Sequence, residues 1–245
     1  MDFAVNITTY KRSDGTTIDK LKKAIDSVFA QNYKKFKIFV IGDDYENPKE
    51  LFDLCSRYDQ KYMYCENLTG KSERDLYKGV KDAVWSYGGT YACNYAVQKS
   101  IDLGYEYVCR LDHDDYWSQD HLANIKTCIE ETGSLFVCTL SHYLKHGNLI
   151  PVKIDGSLGS HLYQSFDLKP GHLVHSSTCI NFRKIPLRYV DQYKEKGTVG
   201  LPADALMWEY MSAWLKDNNE TAYVVKRPTC FHLTEGYEKS KTRRK

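Results

Sequence analysis

Three carboxylates, Asp112, Asp114 and Asp115, follow the extended run Tyr105–Leu111. A strand sets residues two apart on one face, so Asp112 and Asp114 are expected side by side where that strand ends. Aligned carboxylates repel unless a cation sits between them, and a hard divalent ion prefers such oxygen ligands. The chemistry implied is cation-assisted work on a phosphorylated substrate; the competing reading is a solvated acidic loop. Two other strand ends carry polar groups, Thr8–Tyr10 and Asp43–Asp44. No Gly-x-Gly-x-x-Gly and no Walker loop is present, which disfavours a dinucleotide or P-loop site. None of the eight cysteines has a Cys-x-x-Cys partner, which disfavours zinc.

The elements that must position these groups are legible as an alternation of strands and helices. Phe3–Ile7 reads as a first strand, closed by Thr8, Thr9 and Tyr10. Ile18, Leu21, Ile25 and Val28 follow at helical spacing, and Phe36–Ile41 is a near-continuous apolar strand of the buried parallel kind. A helix over Glu50–Tyr58 and a strand over Tyr62–Cys65 come next. Residues 67–89 read as a polar, glycine-containing loop with at most a helical turn. Thr90–Leu103 is helical and stops at Gly104. Beyond the acidic strand, Ser118 is read as the cap of a helix ending at Gly133, followed by a strand at Leu135–Leu144 and a turn at 146–148. Residues 150–171 read as irregular, His172–Phe182 as a strand and Ala203–Leu215 as an aromatic-rich helix. Thr221–Val225 and Pro228–Leu233 read as two late extended pieces. Polar strand ends gathered along one edge of an open α/β sheet mark the crevice where ligands bind.

At 245 residues, 42% hydrophobic and 27% charged, the chain is sized for one globular domain. A net charge of +2 gives no case for nucleic acid as a partner. Cysteines inside apolar patterns favour a reducing compartment, and neither a signal peptide nor an apolar run of membrane-spanning length is read, so a cytoplasmic location is expected.

Four segments together resemble the family 2 glycosyltransferases of GT-A fold. They are Ile7–Tyr10 with the helix through Tyr33, Phe39–Asp44, Leu111–Trp117 with its Asp-x-Asp-Asp, and Ala203–Trp208. The resemblance implies a Rossmann-like, mostly parallel central sheet flanked by helices, with a mixed C-terminal acceptor-binding half. One domain over 1–236 is expected, with 1–117 binding the nucleotide sugar, 118–236 completing the acceptor and catalytic half, and 237–245 a basic tail with a weak pull toward anionic membrane.

By the same resemblance, Thr8, Tyr10, Asp44, Asn94 and Asp112 bind the donor. Asp114, Asp115 and His232 hold Mn²⁺ or Mg²⁺, and Asp204 is the general base. His175 and Trp208 are the acceptor-site candidates, packing being the other role open to them. The family's Ala-Arg-Asn segment is here Ala92-Cys93-Asn94, so that arginine's phosphate contact either falls to Lys71, Arg74 or Arg110 or is absent. The implied activity is inverting transfer from a nucleoside-diphosphate sugar, UDP-linked, to a glycan or glycoconjugate hydroxyl. The alternatives are a sugar-1-phosphate nucleotidyltransferase, which lacks its glycine-rich loop here, and a binding module without turnover, which has no need of Asp204.

Overall fold

The computed structural model describes residues 1–145, 148–151, 162–165, 168 and 173–233. Alternation along the first strand, β1 (Phe3–Thr9), decides what covers each side of the sheet. Phe3, Val5 and Ile7 join one core cluster with Leu21, Ile25 and Val28 of helix α1 (Thr17–Phe29), while Ala4 faces a second cluster on the other side. Strand β2 (Phe36–Asp43) repeats the pattern, with Ile38 and Val40 on the first side and Phe39 on the second. Burying a side chain such as Leu21 or Ile25 stabilises the fold by about 1.5–3 kcal/mol. This explains why a strand can be apolar throughout: both of its faces are covered.

Helix α2 (Lys49–Cys55) and strand β3 (Met63–Leu68) complete the first edge. Residues 67–89 are not merely a loop. They contain two short helices, α3 (Glu73–Leu76) and α4 (Lys81–Tyr87), of four and seven residues, too short for a helical period to stand out. Then come α5 (Thr90–Asp102), β4 (Tyr107–Arg110), the two-residue β5 (Tyr116–Trp117) and α6 (His121–Thr132). Asp120, not Ser118, occupies the N-cap of α6, with the Ser118 hydroxyl bonded to its carboxylate at 2.6 Å. Strands β6 (Phe136–Lys145), β7 (Asn148–Pro151) and β8 (Leu162–Ser165) follow; β7 and β8 fall in or beside the stretch expected to be irregular. The turn expected at 146–148 lies mostly outside the described residues.

The strand expected over His172–Phe182 is shorter, because a 3₁₀ turn at His175–Ser177 precedes β9 (Thr178–Asn181). Helices α7 (Gln192–Lys196) and α8 (Ala203–Asp217) lead to β10 (Ala222–His232). The two late extended pieces are thus one strand. Its register shifts on both sides of Pro228, which has no N–H to give the ladder.

The sheet runs β3-β2-β1-β4-β9-β6-β10-β5, with β7 on β6 and β8 on β10. From β3 to β4 every pairing is parallel. Past β4 the sheet is mixed: β9 is antiparallel to both neighbours, while β6 and β10 run parallel. The result is a central sheet flanked by helices, parallel in its first half and mixed beyond, where a mostly parallel sheet was expected. The C-terminal ends of β1, β2 and β4 lie along one edge, as the alternation demanded. All eight cysteines are free thiols, seven of them buried. Among the described residues, no helix is long and apolar enough to cross a membrane. The tail 237–245 lies outside the described residues.

Candidate active site

A cavity of about 550 Å³ opens along that edge. Its wall carries Thr8, Thr9 and Tyr10 from the end of β1, Asp43 from β2, Arg110–Asp114 without Leu111 from β4 and the turn after it, and Asp204 from the first turn of α8. Residues separated by almost the whole chain therefore face one volume.

At one end, Arg74 lays its guanidinium over the Tyr10 ring, 3.5 Å from the centroid. Its Nε donates to Asp43 at 3.1 Å and its Nη2 to the Gly88 carbonyl at 3.2 Å. Burial raises the Asp43 pKa, and the Arg74 charge only partly offsets this. The neighbouring Glu73 accepts the Gly89 and Tyr91 N–H groups at 3.2 and 2.8 Å, capping the start of α5 from outside its own helix. Burial pushes its pKa up to about 7. Residues 73 and 74 thus tie the two short helices to the cavity wall.

Asp44, the expected base contact, does not line the cavity. The chain turns there with φ 58°, and its carboxylate accepts the Gly70 N–H at 3.1 Å. Asp43 occupies the wall instead. Asn94 also sits apart: its amide donates to the Tyr189 carbonyl at 2.8 Å and accepts the Tyr189 N–H at 2.9 Å. Both of its polar groups hold a main chain, leaving it to position Tyr189 on the wall rather than to touch a donor.

The acidic motif differs from the expected strand end. Strand β4 stops at Arg110, and the Asp115 N–H closes a turn on the Asp112 carbonyl at 3.0 Å. The three carboxylates consequently part company. Asp112 takes Arg110 at 3.3 Å and lies 3.6 Å from His175 Nδ1. Burial opposes its charge, but His175, Arg110 and His232 prevail and hold its pKa well below the carboxylate range. The Arg110 guanidinium also donates to the Thr8 hydroxyl, linking β1 to β4. Asp114 is paired with Arg12 at 2.9 Å. Between them His113 is buried, edge-on to Tyr10 at 5.3 Å, and burial lowers its pKa.

Asp115 is 1% exposed and turned inward. It accepts from the Ser176 hydroxyl, from the Leu233 N–H at 2.9 Å and from His232 Nδ1 at 2.9 Å. With its oxygens so engaged it is an orienting partner of His232, not a free ligand. Burial opposes the imidazolium, yet the Asp115 carboxylate outweighs it and raises the His232 pKa. Among the described residues, no three His, Cys, Asp or Glu side chains converge as a cation cage.

His175 lines the cavity, its Nε2 on the Tyr189 hydroxyl and its ring edge-on to Trp208 at 5.9 Å. Trp208 itself is 1% exposed and packs against Phe136, so it backs His175 and cannot touch an acceptor. Asp204 is exposed on the wall; its Oδ1 accepts the Ala205 N–H at 2.8 Å, and its Oδ2 has no partner among the described residues. Sequence reasoning passed over Asp43, Arg12, Glu73 and Tyr189. Only Asp43 left a local signal, as the first of the paired aspartates.

The arrangement supplies two cavity-wall cations (Arg74, Arg110) for an anionic ligand, a flat aromatic–guanidinium stack, and a separate exposed carboxylate. Comparisons agree with that chemistry. A sequence profile described as Glycosyl transferase family 2 matches residues 4–190. An uncharacterized glycosyltransferase of Acanthamoeba polyphaga mimivirus is 27% identical over 238 residues, covering 96% of this chain and 94% of that protein. Among solved structures, S. aureus TarS in complex with UDP superposes with a TM-score of 0.65 at 15% identity, over 96% of this chain and 61% of that one. The mannosyltransferase PcManGT from Pyrobaculum calidifontis, in complex with GDP-Man and Mn²⁺, gives 0.58 at 13% identity, over 99% and 60%. The chain thus spans about three-fifths of those solved chains, and the likeness to them is one of fold.

Proposed function

The chain belongs to glycosyl transferase family 2, is a glycosyltransferase, and from that premise we propose an inverting, divalent-cation-dependent transfer from a UDP-linked sugar to a glycan or glycoconjugate hydroxyl. One observation carries the reading: the strand-end groups and Asp204 face the same cavity from opposite ends of the sequence.

In this reading the nucleoside end of the donor takes the Tyr10–Arg74–Asp43 corner, and Thr8, Arg110 and Asp112 form the floor beneath ribose and phosphates. Arg110 is buried and fixed by Thr8 and Asp112, so its charge is oriented before the donor arrives. Of the three expected ligands Asp114 alone lines the cavity, where it is paired with Arg12, so a divalent ion would be held there only together with the donor's phosphates, the usual habit of Mg²⁺ at phosphate substrates. Asp114 offers a carboxylate at the wall. His232 sits with Nδ1 on Asp115, and only its neutral form, with that proton on Nδ1, would present Nε2 to a metal. Bound there, the ion would act as a Lewis acid on the departing diphosphate. Asp204 accepts the acceptor hydroxyl's proton as that oxygen attacks the anomeric carbon from the face opposite the diphosphate. A single displacement of this kind inverts the centre, and the base contributes about 10²–10⁴-fold. Similarity to TarS in complex with UDP-GlcNAc supports the choice of UDP.

The test is release of UDP or GDP from UDP- and GDP-sugars with Mn²⁺ and a pool of methyl glycosides as acceptors. One donor should turn over, and Asp204→Asn should bind it undiminished while losing transfer. Turnover of Asp204→Asn at the parent rate would remove the base assignment.

A further inference from the structure

We infer that Trp85 is a stacking platform for the acceptor's sugar ring, an inference that rests on the transfer reading above. On α4, Ala83 and Tyr87 are buried at 0% and 1%, and a helix turns Trp85, midway between them, to the opposite side. Trp85 is accordingly 72% exposed, whereas Trp117 and Trp208 are 4% and 1%. It does not face bulk surface at random, because it lines the cavity that holds Asp204. No aromatic ring among the described residues stacks on it, and its indole N–H has no partner among them.

Its neighbours identify the ligand chemistry. The Tyr87 hydroxyl accepts the Gly200 N–H at 2.9 Å, which ties α4 to the segment leading into α8. Leu201 follows immediately, 39% exposed and also on the cavity wall, and Pro202, Ala203 and Asp204 continue that wall. The rim therefore offers one flat apolar face beside Ser86, Thr90 and the Asp204 carboxylate. A pyranose matches this mixture, with an apolar C–H face for the indole and hydroxyls at its edge for the polar groups. An alkyl chain would leave those polar groups desolvated and unpaired. A ring held on Trp85 would present its hydroxyl edge to the wall that carries Asp204, so the platform orients the acceptor without entering the chemistry.

The exposure of Trp85 also provides the readout. Its emission and its quenching by acrylamide are followed while methyl α-mannoside, methyl β-glucoside and methyl N-acetyl-β-glucosaminide are titrated, first alone and then with saturating UDP. At least one glycoside should shift the emission to the blue and protect it from quencher. Trp85→Ala should abolish that response and weaken glycoside binding about tenfold, as expected for loss of one aromatic contact, while Trp85→Phe retains most of it. UDP binding should be unchanged in both variants, and circular dichroism should show the parent fold.

A glycoside that binds Trp85→Ala as tightly as the parent overturns the proposal. So does the absence of any glycoside response. If UDP alone shields Trp85, the residue belongs to the donor's base and the acceptor role is wrong. If anionic phosphatidylglycerol vesicles shield it and glycosides do not, the rim is a membrane contact and the proposal falls. A protein that binds glycosides at Trp85 but not UDP would sink the donor reading and leave the platform standing.

Discussion

Arg74 is held by three contacts at once, and removing it should reveal how strongly the 72–91 segment is fastened to the cavity. Its partner Asp43 is almost fully buried, with its side chain 4% exposed, while the Arg74 side chain is 28% exposed. Breaking a fully buried pair costs about 3–5 kcal/mol, and an exposed pair is worth about 0.2–1 kcal/mol. With one partner on each side of that divide, the ion pair contributes about 1–2 kcal/mol. The stack on Tyr10 adds about 0.5–1 kcal/mol. Arg74→Ala should therefore lose about 1.5–3 kcal/mol.

In an Asp43→Asn background the same change should cost only about 1 kcal/mol, because no charge is left stranded. A double-mutant cycle by urea denaturation reads the difference directly. Burial already raises the Asp43 pKa, with Arg74 opposing, so removing Arg74 raises it further. A carboxylate with a raised folded pKa is most stable protonated, and that stability is lost as pH rises through the folded value. Arg74→Ala should accordingly recover part of its loss on acidification. Equal costs in both backgrounds, with no recovery in acid, would refute the account of this corner.

Glu73 should impose its own pH dependence. Its pKa stands at about 7 against an ordinary 4.5, so stability is full in acid and declines as pH rises through about 7. The ceiling is about 3 kcal/mol at 1.36 kcal/mol per unit, and thermal melts of Glu73→Gln should be flat across that window. Trp208→Ala should lose about 3–5 kcal/mol of stability, measured in urea, because the whole indole is buried behind His175. A loss below about 1 kcal/mol would mean that the residue is not core.

The parallel half of the sheet was legible because its signals are local. Period-2 alternation in Phe3–Ile7 and helical spacing from Ile18 to Val28 each require burial on a known face. The strand ends followed from that topology, whereas Asp204 was singled out only by the resemblance of Ala203–Trp208 to the family's segment, a helix start alone being no mark of a base. What was not legible depends on contacts distant in sequence or on one backbone angle. Arg12 meets Asp114 across 102 residues. The choice of Asp43 over Asp44 turns on a single left-handed residue. Helices α3 and α4, of four and seven residues, are too short for a helical period to stand out; Ala83 and Tyr87 of α4 pack into the core, and Glu73 and Arg74 fasten the segment to the cavity wall. Asp112 and Asp114 diverge because the chain turns after Arg110, where an uninterrupted strand would have kept them parallel.

The most direct test of the account is a thermal unfolding titration with UDP, in Mn²⁺ and then in EDTA. At 100 times its Kd, a ligand of the folded state adds about 2.7 kcal/mol, and at about 2–4 °C per kcal/mol the midpoint should rise by about 5–10 °C. The account predicts that rise with Mn²⁺, a smaller one in EDTA, and a marked loss of both in Arg110→Met. No shift with UDP or GDP, with or without the cation, would contradict the claim that this cavity binds a nucleoside-diphosphate sugar.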